Sequence, residues 1–260
     1  MEDAIEKFSI FGGVEWGRID TSKPTFELIE KLILEDYRYI RNDITELTGG
    51  MPLYHSILTG IALGDAKTHT AYKRANVSKE VGDKAVAELC EIGVIKLKKS
   101  KKSSDKLYFN SQFLRFWFAF ISPLFKGIRD GDFKEVQKRF INRQNEFIHL
   151  PFTQLSQEFV KLSLKDERVM ECGSYWDDKD EFDIYVKTKD KKTILGMCKY
   201  TNSKIKKSEL NKMKLLADNM KIESESFVIF SKNGFSKELK SLKGENLKLY
   251  TLKNLKSIVE

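Results

Sequence analysis

The alternation of strand-like and helical segments after Pro151 constrains the fold of this chain more than any other feature. Apolar residues with period two indicate strands, and apolar residues that recur every three or four positions indicate helices. The expected order is helix, three strands, helix, strand, short helix and strand, near 152–165, 168–175, 181–188, 193–200, 206–220, 227–230, 236–242 and 247–251. This order predicts an α/β (α+β) unit with a central mixed sheet and helices packed on it.

The bulk composition predicts a globular chain with one large domain or two smaller ones. Of its 260 residues, 41% are hydrophobic and 32% are charged, so a folded core is expected rather than disorder. The formal net charge is +8. That excess is typical of a protein with an anionic partner such as nucleic acid, and equally of an ordinary basic protein.

The cysteine and hydropathy patterns predict a cytoplasmic protein with no membrane partner. The three cysteines are an odd number without close pairs, which indicates a reducing compartment and no disulfide framework. The first residues are acidic and lack the apolar core of a signal peptide. The most apolar run, 113–125, is shorter than the roughly 20 residues that cross a bilayer.

Residues 51–110 have the pattern of a winged helix-turn-helix domain. Three short helices are expected, followed by a hairpin of strands 94–97 and 106–109, and Ser78 is a good N-cap for the third helix. Residues 1–50 are then an N-terminal extension, in which 8–16 is a candidate short strand. Residues 111–150 are a helical connector, whose aromatic block is expected to be buried.

The tip of the expected hairpin is rich in lysine. Four of its lysines are candidate contacts to nucleic-acid phosphates: Lys98, Lys99, Lys101 and Lys102. The expected third helix is a weaker candidate for the DNA major groove, because its polar positions mix acids with lysines. Two other interpretations stay open, since a charged hairpin tip can simply be solvated and winged helices also serve as protein-interaction modules.

One acid and one lysine lie on neighbouring expected strands where they could converge. Side chains alternate between the faces of a strand, so Phe182, Ile184 and Val186 are expected on one face, opposite Asp183. On the next strand, residue 197 and Lys199 share a face. Aligned pleats would bring Asp183, residue 197 and Lys199 to one patch.

Glu158, on the helix before these strands, is the third candidate for this patch. It lies at the edge of the apolar stripe of that helix, and an acid beside a core requires a partner or a bound cation. A rim glutamate paired with a nearby lysine accounts for the position equally well.

Carboxylates and a lysine suit metal-dependent phosphodiester hydrolysis. The carboxylates hold Mg²⁺ or Mn²⁺, the metal lowers the pKa of a bound water, and the lysine steadies the water or the developing charge. The expected catalytic residues are Glu158, Asp183 and Lys199, and the expected metal ligands are Asp183, Glu158 and the backbone carbonyl of Cys198. Met197 is the exception, because a thioether is a poor ligand for a hard cation.

Several stretches together are similar to a known family. They are 54–62, 113–118, 171–176, 181–184 and 194–200, and they resemble the C-terminal region of archaeal-type ATPases, a region of unknown function that follows their AAA+ core. More broadly, residues 152–220 resemble the PD-(D/E)xK nuclease superfamily. The likeness covers roughly 50–220 and lies in the combination of motifs.

This resemblance implies a restriction-endonuclease-like αβββαβ domain at 151–260. It makes Glu158 the helix acid, Asp183 the first motif acid and Lys199 the motif lysine. Met197 departs from the pattern, since it stands where the second acid belongs; candidate replacements for that acid are Glu181, Glu209 and Glu171. No intact phosphate loop occurs in the chain, so ATP hydrolysis by this chain alone is not expected.

Three functions are therefore expected, in this order. The first is a nucleic-acid-binding protein with a nuclease-like fold and a degenerate catalytic site. The second is an active Mg²⁺-dependent DNA endonuclease. The third is a protein-interaction subunit of a separate ATPase. Met197 sets the order, because loss of one carboxylate ligand weakens the binding and orientation of a metal together.

Overall fold

The computed structural model describes residues 1–16, 19–64, 66–100, 103–164 and 167–258. The chain forms two compact units. The helical unit is Glu6–Phe147, and the sheet unit joins Ile148–Glu260 with Met1–Ile5. Within the described ranges, no helix has both the length and the apolar character needed to cross a membrane.

The helical unit confirms the predicted order of three helices and an antiparallel hairpin. These elements are α4 (Pro52–Ala62), α5 (Thr68–Ala75), α6 (Lys79–Glu91), β1 (Ile95–Lys98) and β2 (Lys106–Phe109). Pro52 occupies the first turn of its helix, where its missing N–H is not needed. Asn76 ends α5 in the left-handed conformation, and the Ser78 hydroxyl accepts a hydrogen bond from the Val81 N–H, as its N-cap position predicts.

The N-terminal segments of the chain are helical. They are α1 (Glu2–Phe11), α2 (Thr25–Ile29), a π-helical turn at Glu30–Leu34 and α3 (Tyr37–Leu47). The expected strand at 8–16 is therefore wrong. The Gly12 N–H donates to the Phe8 carbonyl at 2.8 Å, a local helical bond, and Ile5 and Ile10 are buried.

The aromatic block after the hairpin is buried, as predicted. The chain continues there as α7 (Gln112–Phe116), a π-helical turn at Trp117–Ile121, a 3₁₀ turn at Ser122–Leu124 and α8 (Phe125–Arg129). The Phe120 ring meets Phe147 edge-on, with 5.1 Å between ring centres. Arg115 lies 4.1 Å above the Phe147 ring, and burial lowers its pKa to about 9. These shielded rings offer no platform for stacking bases.

Helix α9 (Lys134–Ser163) runs through Pro151 without interruption. The sequence predicted a new helix near 152, because proline lacks the N–H that continues a helix. The structure instead has one helix of 30 residues. Phe147, Ile148 and Phe152 are all buried, so burial of one continuous apolar stripe offsets the lost hydrogen bond.

The sheet unit has the predicted central mixed sheet. Its strands are β3 (Val169–Trp176), β4 (Glu181–Thr188), β5 (Thr193–Lys199), β6 (Ser226–Ser231) and β7 (Leu247–Thr251), in that spatial order. The first three pair antiparallel, and β5, β6 and β7 pair parallel. The remaining elements are α10 (Lys207–Met220), α11 (Lys237–Lys240) and a 3₁₀ turn at Leu252–Ile258.

Two helices cover opposite faces of this sheet. On the α9 face, the Phe159 ring packs edge-on against Phe230, with 5.7 Å between ring centres. On the α10 face, Met213 joins a buried apolar cluster with Leu195 and Ile229. Phe230 and Ile229 are adjacent on β6, so the strand sends successive side chains to different helices, as a pleated strand must.

A β-bulge changes the face of β4 at Asp183. On β3, Tyr175 pairs with Phe182, and Gly173 pairs with Tyr185. One residue of β3 thus lies between these pairs, opposite two residues of β4, Asp183 and Ile184. Phe182 therefore joins the cluster on the α10 face, whereas Ile184 pairs with Gly196 on the α9 face. The prediction that Phe182 shares a face with Ile184 and Val186 is wrong, because alternation fails across a bulge.

Candidate functional site

Asp183 is held by hydrogen bonds from β5, β3 and α9. Its Oδ2 accepts from the Cys198 backbone N–H at 2.7 Å, and its Oδ1 lies 3.7 Å from His149 Nε2. Its backbone carbonyl accepts from the Gln157 amide at 2.6 Å and from the Ser174 hydroxyl at 3.2 Å. The carboxylate keeps a fractional exposure of 23%, so it is shielded but still reaches solvent.

A polar stripe on α9 lies beside this carboxylate. His149, Ser156 and Gln157 occur at helical spacing, and the Ser156 hydroxyl donates to the Phe152 carbonyl at 2.8 Å. Burial raises the pKa of the Cys198 thiol well above its ordinary value, so this sulfur stays protonated next to Ser156. Sequence reasoning missed His149 and Gln157, because the helix break expected at Pro151 hid the common spacing.

Lys199 has its partner on the α10 face. Its Nζ lies 3.4 Å from Glu209 Oε2, and Lys212 Nζ lies 2.6 Å from Glu209 Oε1. The hydrogen bond from Lys212 and the charge of Lys199 lower the pKa of Glu209, which therefore stays ionised. Glu209, a candidate replacement acid, pairs with two ammonium groups here.

Glu158 lies in a separate polar cavity between α9 and β3. Its Oε1 is 3.7 Å from Lys161 Nζ, and its side chain is about half exposed. The cavity has a volume of about 310 Å³ and is lined by Gln154, Gln157, Glu158, Lys161, Val169, Met170, Glu171 and Cys172. Neither Asp183 nor Lys199 lines it. The structure thus agrees with the alternative of a rim glutamate paired with a lysine.

The three expected catalytic residues make their polar contacts with different partners. In the described parts of the chain, no hydrogen bond or ion pair joins Asp183, Lys199 and Glu158 to one another. Met197 packs against the apolar cluster of the α10 face. Cys198 directs its N–H to Asp183, where its carbonyl was the expected ligand.

The structure places one of the expected acidic metal ligands, Asp183, beside the position of the missing second acid. One Asp183 oxygen already accepts an N–H, and a thioether occupies the position of the second acid. Two further candidate acids lie elsewhere, since Glu171 lines the cavity of Glu158 and Glu181 is exposed opposite Trp176. Among the residues that the structure describes, no three His, Cys, Asp or Glu side chains are grouped to hold an ion.

The hairpin of the helical unit contains two of the four predicted phosphate contacts within the described ranges. Lys98 ends β1 opposite Lys106, and Lys99 follows it in an exposed position. The other two, Lys101 and Lys102, lie outside the described residues. The Asp105 carboxylate accepts from the Ser100 N–H at 2.8 Å and so closes the base of the hairpin tip.

Comparison with known proteins matches the middle of this chain to a family. Residues 117–213 match DUF234, described as archaeal and bacterial proteins of unknown function. An uncharacterized protein of Methanocaldococcus jannaschii is 20% identical over 219 residues, which cover 78% of this chain and 49% of that protein. The chain thus spans about half the length of the curated relative it matches. No solved structure matches the chain. The range matched to the family contains Asp183, Met197 and Lys199.

Proposed function

We propose that this chain is a nucleic-acid-binding protein whose nuclease-like fold has a degenerate catalytic site. The observation that carries the proposal is that Asp183 and Lys199 contact different partners. Asp183 accepts the Cys198 N–H, and Lys199 pairs with Glu209 on the α10 face. With Met197 at the position of the second acid, these groups lack the paired carboxylates that a catalytic Mg²⁺ requires.

The binding part of the proposal is supported by the helical unit. Three helices followed by an antiparallel hairpin are the order of a winged helix, in which the hairpin contacts phosphate. Lys96 and Lys99 of this hairpin are exposed. Lysines on such a hairpin attract the sugar–phosphate backbone without reading its sequence.

We also propose that the chain corresponds to the C-terminal portion of an archaeal-type ATPase. The match of residues 117–213 to DUF234 and the greater length of the matched relative support this. A separate ATPase is the protein partner that this resemblance implies, with the chain as an interaction subunit in the third candidate function. Co-purification of the full chain with such an ATPase tests this assignment, and its absence would contradict it.

An active DNA endonuclease is the second candidate function. The observation in its favour is the His149 imidazole, 3.7 Å from the partly exposed Asp183 carboxylate. Carboxylate oxygens are ligands that suit both Mn²⁺ and Mg²⁺, so either ion is the cofactor to test.

Binding and cleavage assays on the full chain separate these functions. We expect binding to DNA at low salt, with affinity that falls steeply as salt rises. We expect no nicking of plasmid DNA in a series of Mg²⁺ and Mn²⁺ concentrations, and gain of nicking in Met197→Glu would identify a decayed site. Nicking by the wild type that Asp183→Ala abolishes would establish the endonuclease instead. Absence of binding at low salt would leave the interaction subunit as the function.

The hairpin is tested by a variant in which its four candidate lysines become alanine. The replaced residues are Lys98, Lys99, Lys101 and Lys102. Their loss should weaken DNA binding and reduce its salt dependence, because each phosphate contact releases counterions. Unchanged affinity would remove the hairpin from the binding surface.

A further inference from the structure

The positive charge of this chain is concentrated in two segments of the sheet unit. Residues 199–214 and 232–243 together contain ten lysines and two glutamates, a net charge of +8. The whole chain has the same net charge, +8, so all its other residues balance to zero. A basic excess spread evenly over the surface would not produce this distribution.

The fold brings the two segments together beyond the carboxyl ends of the parallel strands β5 and β6. Ile205 and Phe235 form a parallel β-bridge. The Ile205 N–H donates to the Gly234 carbonyl at 2.9 Å, and the Ser236 N–H donates to the Ile205 carbonyl at 2.9 Å. Both bridge side chains are buried, so the bridge is fixed to the core of the α10 face.

Four exposed lysines flank this bridge, and we call them the bridge lysines: Lys204, Lys206, Lys207 and Lys237. Within the described ranges, none of the four forms an ion pair. Three other lysines of the same segments already have acidic partners, since Lys199 and Lys212 share Glu209 and Lys232 pairs with Glu2 at 2.8 Å. The bridge lysines thus keep their charge available for an external anion.

The chemistry of the patch favours a phosphate backbone over exposed bases. Helix α10 begins at Lys207 without a side-chain cap, so the positive end of a helix of 14 residues lies among the bridge lysines. The two aromatic residues of these segments, Tyr200 and Phe235, are buried. Surfaces for single strands commonly add exposed rings on which bases stack, and these two segments expose none.

We infer that the bridge lysines form a second nucleic-acid contact surface, one that binds the phosphodiester backbone of duplex DNA. This inference rests on the proposed function and adds the site and the form of the ligand. The contact is independent of base sequence, because a lysine ammonium on a phosphate reads charge and position only. It is separate from the hairpin lysines, which belong to the helical unit.

Replacement of the four bridge lysines by glutamine in the full chain tests the inference. With a short labelled DNA duplex, the slope of log K against log salt should become shallower by about 3 to 4, since each phosphate contact contributes about 0.9. Affinity at low salt should fall by at least roughly tenfold. The matched control removes the same charge from exposed lysines elsewhere on the sheet unit: Lys187, Lys189, Lys221 and Lys248.

The outcomes separate this inference from the proposed function. A steep loss in the bridge variant and a small one in the control supports it. Equal weakening in both variants overturns it, because net charge alone would then explain binding. Tighter binding to a single strand of the same length overturns the assignment to duplex. Wild-type binding that depends on the hairpin lysines but not on the bridge lysines refutes only the inference. Absence of wild-type binding refutes the proposed function as well.

Discussion

The two faces of the sheet hold their polar groups differently at β4 and β5. On the α9 face, the Asp183 carboxylate bonds to the main chain, and the Cys198 thiol is fully buried. On the α10 face, Lys199 and Glu209 form an ion pair that remains partly exposed. An aspartate and a lysine on adjacent strands therefore need not share a site, because one bulge directs their contacts to different helices.

The largest effect is expected on the α9 face at Gly196, where β5 comes closest to its neighbours. An added Cβ would lie 2.5 Å from Val228 Cγ1, 2.8 Å from the Val228 carbonyl oxygen and 3.0 Å from Ile184 Cβ. The backbone cannot retreat without disturbing the pairing of β5 with β6. Gly196→Ala should therefore lower the free energy of unfolding by about 3 kcal/mol, measured by urea denaturation.

Gly244→Ala is the matched control for this variant. A Cβ at Gly244 would meet nothing within 4 Å, so its effect should stay within about 0.5 kcal/mol. Similar stabilities for the two variants would show that the α9 face is packed more loosely than described.

The next effect compares the two faces directly, through Asp183→Ala and Lys199→Ala. Loss of Asp183 leaves the Cys198 N–H without its charged acceptor and should cost about 2 kcal/mol of unfolding free energy. Loss of Lys199 removes a partly exposed ion pair and should cost less than about 1 kcal/mol. Urea denaturation of both variants at neutral pH gives the difference. A larger cost at Lys199 would reverse the proposed roles of the two faces.

The smallest effect is a pH dependence on the α10 face. The hydrogen bond from Lys212 lowers the pKa of Glu209 below its ordinary value of 4.5. Because the pKa is lower in the folded state, ionised Glu209 stabilises the folded protein at pH values above 4.5. This contribution is lost as the pH falls through the folded-state pKa. Glu209→Gln should thus destabilise slightly at neutral pH and flatten the acid limb of the stability curve. Urea midpoints between about pH 6 and pH 3 measure this. Parallel curves for the two proteins would refute the assignment.

The sequence predicted the elements of the sheet unit because their signals are local. The expected strands at 181–188 and 193–200 correspond to β4 (Glu181–Thr188) and β5 (Thr193–Lys199). The periodicity of apolar residues within one segment was sufficient for this. The continuous helix through Pro151 was missed, since its stability depends on tertiary burial that outweighs a local proline signal.

The candidate site was harder to predict because its contacts depend on register. Asp183 and Lys199 stood out as polar residues in apolar strands, but the bulge depends on how β3 pairs with β4, which no single segment reveals. Glu209 was noted as an acid, and its contact with Lys199 follows only from the packing of α10. His149 required the helix to continue through the proline.

The bulge at Asp183 also fixes the register of β3, an edge strand of the sheet. β3 lies at one end of the strand order, and an edge strand is the kind that can pair with another chain. A shift of β3 by one residue would disrupt the pairing in which Asp183 and Ile184 lie opposite one residue. It would also move the side chains of β3 to the opposite faces of the sheet. The bulge therefore favours the observed pairing of β3 with β4 over a slipped one.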